Sequence, residues 1–255
     1  VDERIAYTGS LNMADPKLFK VGAGVGEWVD VMARVRGPGV AALSAVFECD
    51  WMVETEGTSA EAIAHEPISG REGDVELQVV PSGPHAHQQT IHRMLIQGVH
   101  EARKELVLTT PYFTPDEAMM AALVTAAQRG VDVTLIVPER VDSKMVALAS
   151  SAYFQDLLDV GARIRLYRGG LLHAKTVTID GTIAMLGTVN MDRRSFGINF
   201  ELSLFVYDRA VCKRLREVQA RYMADSRSLT ESGWDRRPRA VRLLEQAVQL
   251  LSPLL

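Results

Sequence analysis

Cysteine is scarce in this chain: Cys49 and Cys212 are the only two among 255 residues, and no CxxC or other ligand spacing joins them. A disulfide-stapled scaffold is excluded, and two reduced, mostly buried thiols are expected. Long apolar runs are missing too. No stretch reaches the roughly 18 residues that a membrane-spanning helix needs, and no signal-peptide pattern opens the sequence. The chain does not begin with Met, so its first residue sets no limit on what precedes it. A surplus of positive charge is also lacking. With 28 Lys and Arg against 32 Asp and Glu, the net charge is −4. That speaks against nucleic-acid binding through a general basic field, though not against a local basic groove.

What is present suits a soluble globular core. The composition is 47% hydrophobic and 24% charged, enough to bury one large domain or two small ones. Residues 4–10 read as a strand, and 28–36 alternate as a second, with Val29, Val31, Ala33 and Val35 on one face. Gly37-Pro38-Gly39 breaks it, and 40–53 carries helical spacing at Leu43, Val46, Phe47 and Trp51. From 57 to 74 the pattern dissolves into Gly, Ser, Glu and Pro, which marks a linker between units 1–56 and 75–255. Beyond it strands (75–80, 105–110, 131–137, 163–167, 173–180, 182–186, 200–207) alternate with helical patterns (88–104, 116–128, 143–160, and two more toward the end). That alternation implies an α/β fold with helices packed on a sheet.

The chemistry gathers in Leu172-His173-Ala174-Lys175-Thr176-Val177-Thr178-Ile179-Asp180, closed by Gly187-Thr188-Val189-Asn190. On a strand, alternate residues share a face, so His173 and Lys175 are expected to project side by side. A nucleophile or acid beside a fixed cation suits phosphoryl chemistry. The start of the chain repeats the second half of this pattern: Asp2 falls on Asp180, Gly9 on Gly187, Ser10 on Thr188 and Asn12 on Asn190 without a gap. Further on, Trp28-Val29-Asp30 falls opposite Asn199-Phe200-Glu201. Such agreement suggests two related lobes facing one site. His173 and Lys175 stand seven and five positions before Asp180. Equivalents of both would precede Val1, so these residues hold one full motif and part of another.

His173-Ala174-Lys175, Asp180 and Gly187-Thr188-Val189-Asn190 resemble the HxK-x4-D-x6-G-[ST]-x-N signature of the phospholipase D superfamily. Within it, the bacterial cardiolipin synthases are most similar. Tyr7-Thr8-Gly9-Ser10-Leu11-Asn12-Met13, Thr110-Pro111-Tyr112-Phe113-Thr114-Pro115-Asp116, Arg129-Gly130-Val131-Asp132-Val133 and Asp192-Arg193-Arg194-Ser195-Phe196 carry that resemblance across the chain, and the tail from Trp234 to Leu255 resembles the end of the family's sequences. Two features depart from it: the first-lobe His and Lys, and the N-terminal membrane helices usual in the family, are not among these residues.

The resemblance implies an α/β phospholipase D-like fold, a mixed β-sheet flanked by helices in two pseudo-symmetric lobes, the first incomplete here. It implies a phosphatidyltransferase joining two phosphatidylglycerol molecules into cardiolipin and glycerol through a phosphatidyl-histidine. One His attacks phosphorus while the other protonates the leaving alkoxide. His173 fills one of these roles, with acid/base work favoured because related enzymes assign the nucleophile to the first lobe. Lys175 and Asn190 would hold phosphate, with Thr188, Ser10 and Asn12 completing the pocket. Glu201 would orient His173, and Asp30 would serve the absent histidine. Asp180, part of the motif, is expected to hold the strand-turn structure, as Asp2 does in the repeat. No cofactor or metal is implied, because lysine charge neutralises the phosphate. The implied partner is a membrane surface, at the cytoplasmic face of the bacterial inner membrane, and no nucleic acid is expected. A hydrolytic phospholipase D, a phosphodiesterase or nuclease of the same superfamily, and an inactive lipid-binding fragment are the alternatives.

Other features have plainer readings. His85 and His87 sit beside Pro84 in a loop, and His87 and His92 are five apart, off one helical face. Tyr112 and Phe113 either line a lipid pocket or pack at the sheet edge. Arg193 and Arg194 either meet lipid phosphate or are ordinary surface arginines. The last helix, led by Arg236, Arg237, Arg239 and Arg242, either lies on an anionic membrane or packs on its own lobe.

Overall fold

The computed structural model describes residues 1–15, 24–56, 73–84, 89–230, 234 and 237–249. Most of the expected linker, His85, His87, Arg236 and the last residues of the tail lie outside them. The chain opens with β1 (Ile5–Gly9), β2 (Trp28–Val29), β3 (Met32–Arg36) and α1 (Gly39–Glu56). β1 and β3 pair antiparallel, Ile5 opposite Arg36 and Gly9 opposite Met32. The strand expected over 28–36 is split at Asp30-Val31, because Ser10 captures that point. The Ser10 amide donates to Val31 O at 2.9 Å, and the Val31 amide donates to Ser10 Oγ at 3.0 Å. α1 buries Val40 and Leu43 against Val35 and Leu204, so this first segment shares a core with the rest of the chain.

Next come β4 (Leu77–Ser82), α2 (Thr90–Glu101), β5 (Glu105–Thr109), β6 (Phe113–Thr114), α3 (Glu117–Gln128), β7 (Asp132–Pro138), α4 (Lys144–Asp159), β8 (Arg163–Tyr167) and β9 (Leu171–Leu172). They are followed by β10 (Thr176–Ile179), β11 (Ile183–Gly187), β12 (Met191–Asp192), α5 (Arg193–Gly197), β13 (Glu201–Val206), α6 (Arg209–Ala224), β14 (Ser226–Leu229) and α7 (Arg239–Gln249). An eight-stranded mixed sheet runs in the order β14-β8-β7-β5-β10-β11-β13-β4. Its parallel part, β5 beside β7 beside β8, is buried on both faces, which explains the β-branched run 131–137. Pro81 sits in β4, an edge strand, where the missing N–H breaks no ladder. Asp116, Ser143 and Asp208 cap α3, α4 and α6 by accepting from the amides of Met119, Val146 and Val211. A single large core of Leu106, Leu108, Phe113, Leu123, Leu135, Leu157 and Ile164, among others, fills the space between the sheet and α2, α3 and α4. Burying each such side chain contributes roughly 2 kcal/mol.

The last helix packs on its own lobe. α7 lies against α4, with Arg237 stacked 3.3 Å above the Trp234 ring and hydrogen-bonded to buried Glu245 at 2.5 Å. Arg237, one of the basic residues ahead of this helix, is therefore spent inside the fold.

The internal repeat is visible in the backbone. Asp2 and Asp180 both have φ 52°, the left-handed turn that opens each hairpin. A Cβ on Gly9 would fall 2.1 Å from Val31 O, and one on Gly187 would fall 2.3 Å from Leu202 O, so each glycine lets the following strand approach. After each glycine comes a hydroxyl in the same place. Ser10 bonds across to Val31, and Thr188 bonds to Leu202, amide to carbonyl at 3.0 Å and Oγ1 from the Leu202 amide at 2.9 Å. Val31 and Leu202 are thus equivalent, and so are the carboxylates just before them, Asp30 and Glu201.

Candidate active site

His173, Ala174 and Lys175 do not continue β10 as a strand. They form the bridge between β9 and β10, because Val29 O accepts from both the His173 amide at 2.8 Å and the Ala174 amide at 3.0 Å. β2 runs parallel to β9, Trp28 opposite Leu171 and Val29 opposite Leu172, so this two-residue ladder seats the first segment against the motif. One consequence is that the Trp28 ring lies over the His173 ring, centroids 4.5 Å apart.

The seam delivers Asp30 to His173. Asp30 Oδ1 stands 2.7 Å from His173 Nδ1 and accepts from Ser10 Oγ at 2.6 Å. With Nδ1–H donating to the carboxylate, Nε2 carries the lone pair, and Lys175 Nζ lies 2.7 Å from it. Nζ also donates to the His173 carbonyl at 2.7 Å. Burial would raise Asp30, but the hydrogen bonds from His173 and Ser10 and the charges of His173 and Lys175 more than offset it and hold its carboxyl below the usual range. Lys175 goes the other way. Its burial pushes the ammonium down to about 7, against the opposing pull of Asp30, Glu201 and Asp192.

Glu201 does not bond His173. It accepts from Asn199 Nδ2 at 3.2 Å, and burial raises its carboxyl despite neighbouring Thr188, Ser195 and Asn199. The sequence-based pairing is therefore exchanged: the carboxylate of the first repeat reaches the histidine of the second. The reason is topological, since β2 docks on β9 directly ahead of His173, whereas Glu201 belongs to β13, separated by β11 from β10, the strand that His173 leads into.

The other expected residues divide. Asn190 follows β11 beside Asp192, and its Oδ1 is buried with no partner among the described residues. Thr188 and Ser10 use their hydroxyls to hold the following strands, Ser10 also touching Asp30. Asn12 and Asp2 are exposed. Asp180 lies at the far end of β10, about 17 Å along the chain from Lys175 at roughly 3.3 Å per residue. There it accepts from the amides of Arg103, Lys104 and Glu105 at 2.9, 2.7 and 2.9 Å. Burial would raise its carboxyl, but these three amides and the Lys104 charge lower it.

Two residues of the site were not singled out from the sequence. The sequence places Trp28 at a strand start and opposite Asn199 in the repeat, with no role in the site. Asp192 is buried, caps α5 by accepting from the Ser195 amide at 2.7 Å, and acts electrostatically on Lys175; burial raises its carboxyl. The D-x-x-S pattern ahead of a short helix was the available signal. Of the aromatics, Phe113 is core, and Tyr112 donates to Asp142 at 2.9 Å. His92, in α2, pairs with Asp116 at 3.0 Å.

A mixed sheet with this motif at a strand bridge defines a phospholipase D fold, and solved structures agree. A phospholipase D family member from Salmonella typhimurium superposes with TM-score 0.53 at 18% identity, covering 62% of this chain and 99% of that one. Phosphatidylserine synthase from Haemophilus influenzae gives TM-score 0.57 at 18% identity, covering 71% and 48%. At such identity these likenesses speak for the fold alone. The family described as cardiolipin synthase, phospholipase D-like domain matches residues 95–223, and the chain belongs to that family. Cardiolipin synthase A of Pectobacterium atrosepticum is 44% identical over 261 aligned positions, covering 100% of this chain and 53% of the relative. That of Yersinia pestis is 43% identical with the same coverage. The chain thus spans about half the length of the curated relatives it matches.

Proposed function

We propose that this chain supplies one half of a phosphatidyl-transfer site in a cardiolipin synthase, with His173 as acid and base. The observation that carries the reading is the line Asp30–His173–Lys175, buried and closed at 2.7 Å on both sides of the imidazole. Asp30 fixes the tautomer and supports the imidazolium that His173 starts from as acid in the first half-reaction and regains as base in the second. Lys175 occupies Nε2 until an anionic phosphodiester arrives. The ammonium then moves to a non-bridging oxygen, where charge gathers in the transition state, and frees Nε2 for proton transfer. In the first half-reaction a second histidine attacks phosphorus, and His173, protonated at Nε2 once Lys175 has left it, gives that proton to the departing glycerol oxygen as the phosphorus–oxygen bond breaks. In the second, His173 takes the proton from the attacking hydroxyl of another phosphatidylglycerol, the new P–O bond forms and the phosphorus–histidine bond breaks. Glu201, equivalent to Asp30 in the repeat, would orient that second histidine, and Asn190, by turning its amide, would hold a phosphate oxygen with Lys175.

The lipid substrates put this chemistry at a membrane surface, the bacterial inner membrane on its cytoplasmic side. Among the described residues no helix is long and apolar enough to cross a membrane. The units 1–56 and 75–255 act in this reading as parts of two lobes closing on one site. The test is product analysis with the full-length protein on phosphatidylglycerol vesicles. Cardiolipin and glycerol in equal amounts are expected. Phosphatidic acid and glycerol without cardiolipin would make the protein a hydrolase instead.

A further inference from the structure

Transfer to phosphatidylglycerol poses an electrostatic problem that transfer to water does not. The acceptor carries its own phosphodiester, one glycerol away from the attacking hydroxyl. The catalytic pocket offers it no welcome, since Asp30, Glu201 and Asp192 all act on the single Lys175 ammonium, and that ammonium is committed to the donor phosphate. A second anion needs its own cations.

A cleft of about 570 Å³ opens beside the seam that seats His173, lined by Gly24, Gly26, Glu139, Arg140, Arg168 and Gly170, among others. Its floor is the stretch directly ahead of β2 and β9, where Leu171 donates to Glu27 O at 3.0 Å. From Gly170 to His173 is three residues, roughly 10 Å of extended chain. The glycines are forced by close backbone approach: a Cβ on Gly170 would fall 2.3 Å from Glu27 O, and one on Gly26 would fall 3.0 Å from Gly170 Cα. That packing keeps the floor low, and the chain running on from it through Leu171 and Leu172 leads directly to His173. Its charge is positive. Arg168 reaches Glu139 only at 3.4 Å, Arg227 holds the same carboxylate at 2.9 Å, and Arg140 makes no hydrogen bond or ion pair among the described residues. Two guanidinium groups therefore share one carboxylate, and Arg140 adds a third positive charge with no carboxylate of its own among those residues.

We propose that this cleft is the acceptor subsite, with Arg140 and Arg168 holding the phosphodiester of the incoming phosphatidylglycerol while its free hydroxyl reaches His173. This rests on the synthase reading and adds to it the residues that select an anionic acceptor over a neutral alcohol or water. The guanidinium geometry suits a phosphate oxygen pair.

The test is a competition with the full-length protein, using labelled phosphatidylglycerol as donor and supplying unlabelled phosphatidylglycerol and ethanol as rival acceptors. Arg140→Glu, which breaks no contact in the fold, and the double variant Arg140→Ala with Arg168→Ala should lower the ratio of cardiolipin to phosphatidylethanol by about 10- to 100-fold, the worth of one or two charge-assisted hydrogen bonds. Arg140→Lys should largely preserve the ratio. An unchanged ratio in Arg140→Glu would overturn the subsite. A wild-type protein that makes phosphatidylethanol and no cardiolipin would overturn the synthase reading itself, a separate outcome read in the same tube.

Discussion

Lys175 carries the electrostatic tension of the site. It is buried to 3% exposure yet must be cationic to receive a phosphodiester, and three carboxylates around it oppose its loss of charge without cancelling the burial. With the ammonium held down to about 7 in the folded chain and near 10.4 when unfolded, the sign is definite. Below about 7 both states bind the proton and the folded one bears the cost. Between about 7 and 10 the unfolded state binds more protons, so stability rises with pH. Replacing Lys175 with Met should therefore raise the melting temperature at pH 6 and flatten the rise toward pH 10, while removing turnover. A melting temperature at pH 6 lower than that of the wild type would show that the carboxylates, not burial, dominate. A site that is costly to fold and needed for binding is an ordinary stability–function compromise.

At the scale of elements, β10 shows what was legible in the sequence and what was not. Its β-branched run Thr176-Val177-Thr178-Ile179 marks a strand unaided, as do 131–137 and 163–167. The preceding His173-Ala174-Lys175 looks like the same strand by periodicity, but its amides are claimed by Val29 O, a partner from residues far away in sequence. Alternation cannot report such a contact. The same blindness hid β6, β9 and β12, two-residue ladders with no periodicity of their own, and the break between β2 and β3, and it exchanged Asp30 and Glu201, whose equivalence was readable although their partners were not. Asp180 was legible in kind, since a carboxylate before a tight turn suits backbone amides. Its three amide bonds pin the start of β5 to the end of β10. Asp180→Ala should cost about 2 kcal/mol at pH 7, reckoned from the net worth of such bonds, and leave the rate per folded molecule intact. Because the folded carboxyl is depressed, that stabilisation is present above the unfolded value near 3.9 and fades as pH falls through the folded one. Urea titrations of wild type and variant should converge at acid pH; a constant gap would assign the loss to packing.

At the scale of the molecule, the repeat explains the layout. Two equivalent hairpins, β1–β3 and β11–β13, each carry a carboxylate beside a hydroxyl that holds the next strand, and the carboxylate of the first reaches His173. The shared core of Val35, Val40, Leu43 and Leu204 and the β2–β9 seam hold both hairpins to one frame, as the proposed transfer between two histidines and one phosphorus would demand. The most direct measurement is the cardiolipin synthesis rate of the full-length protein with His173→Gln, an isosteric change in a seat built by backbone contacts. The account predicts a fall of about 10³-fold or more, the usual worth of a positioned acid–base, with an unchanged melting profile. Synthesis within ten-fold of the wild type would contradict it.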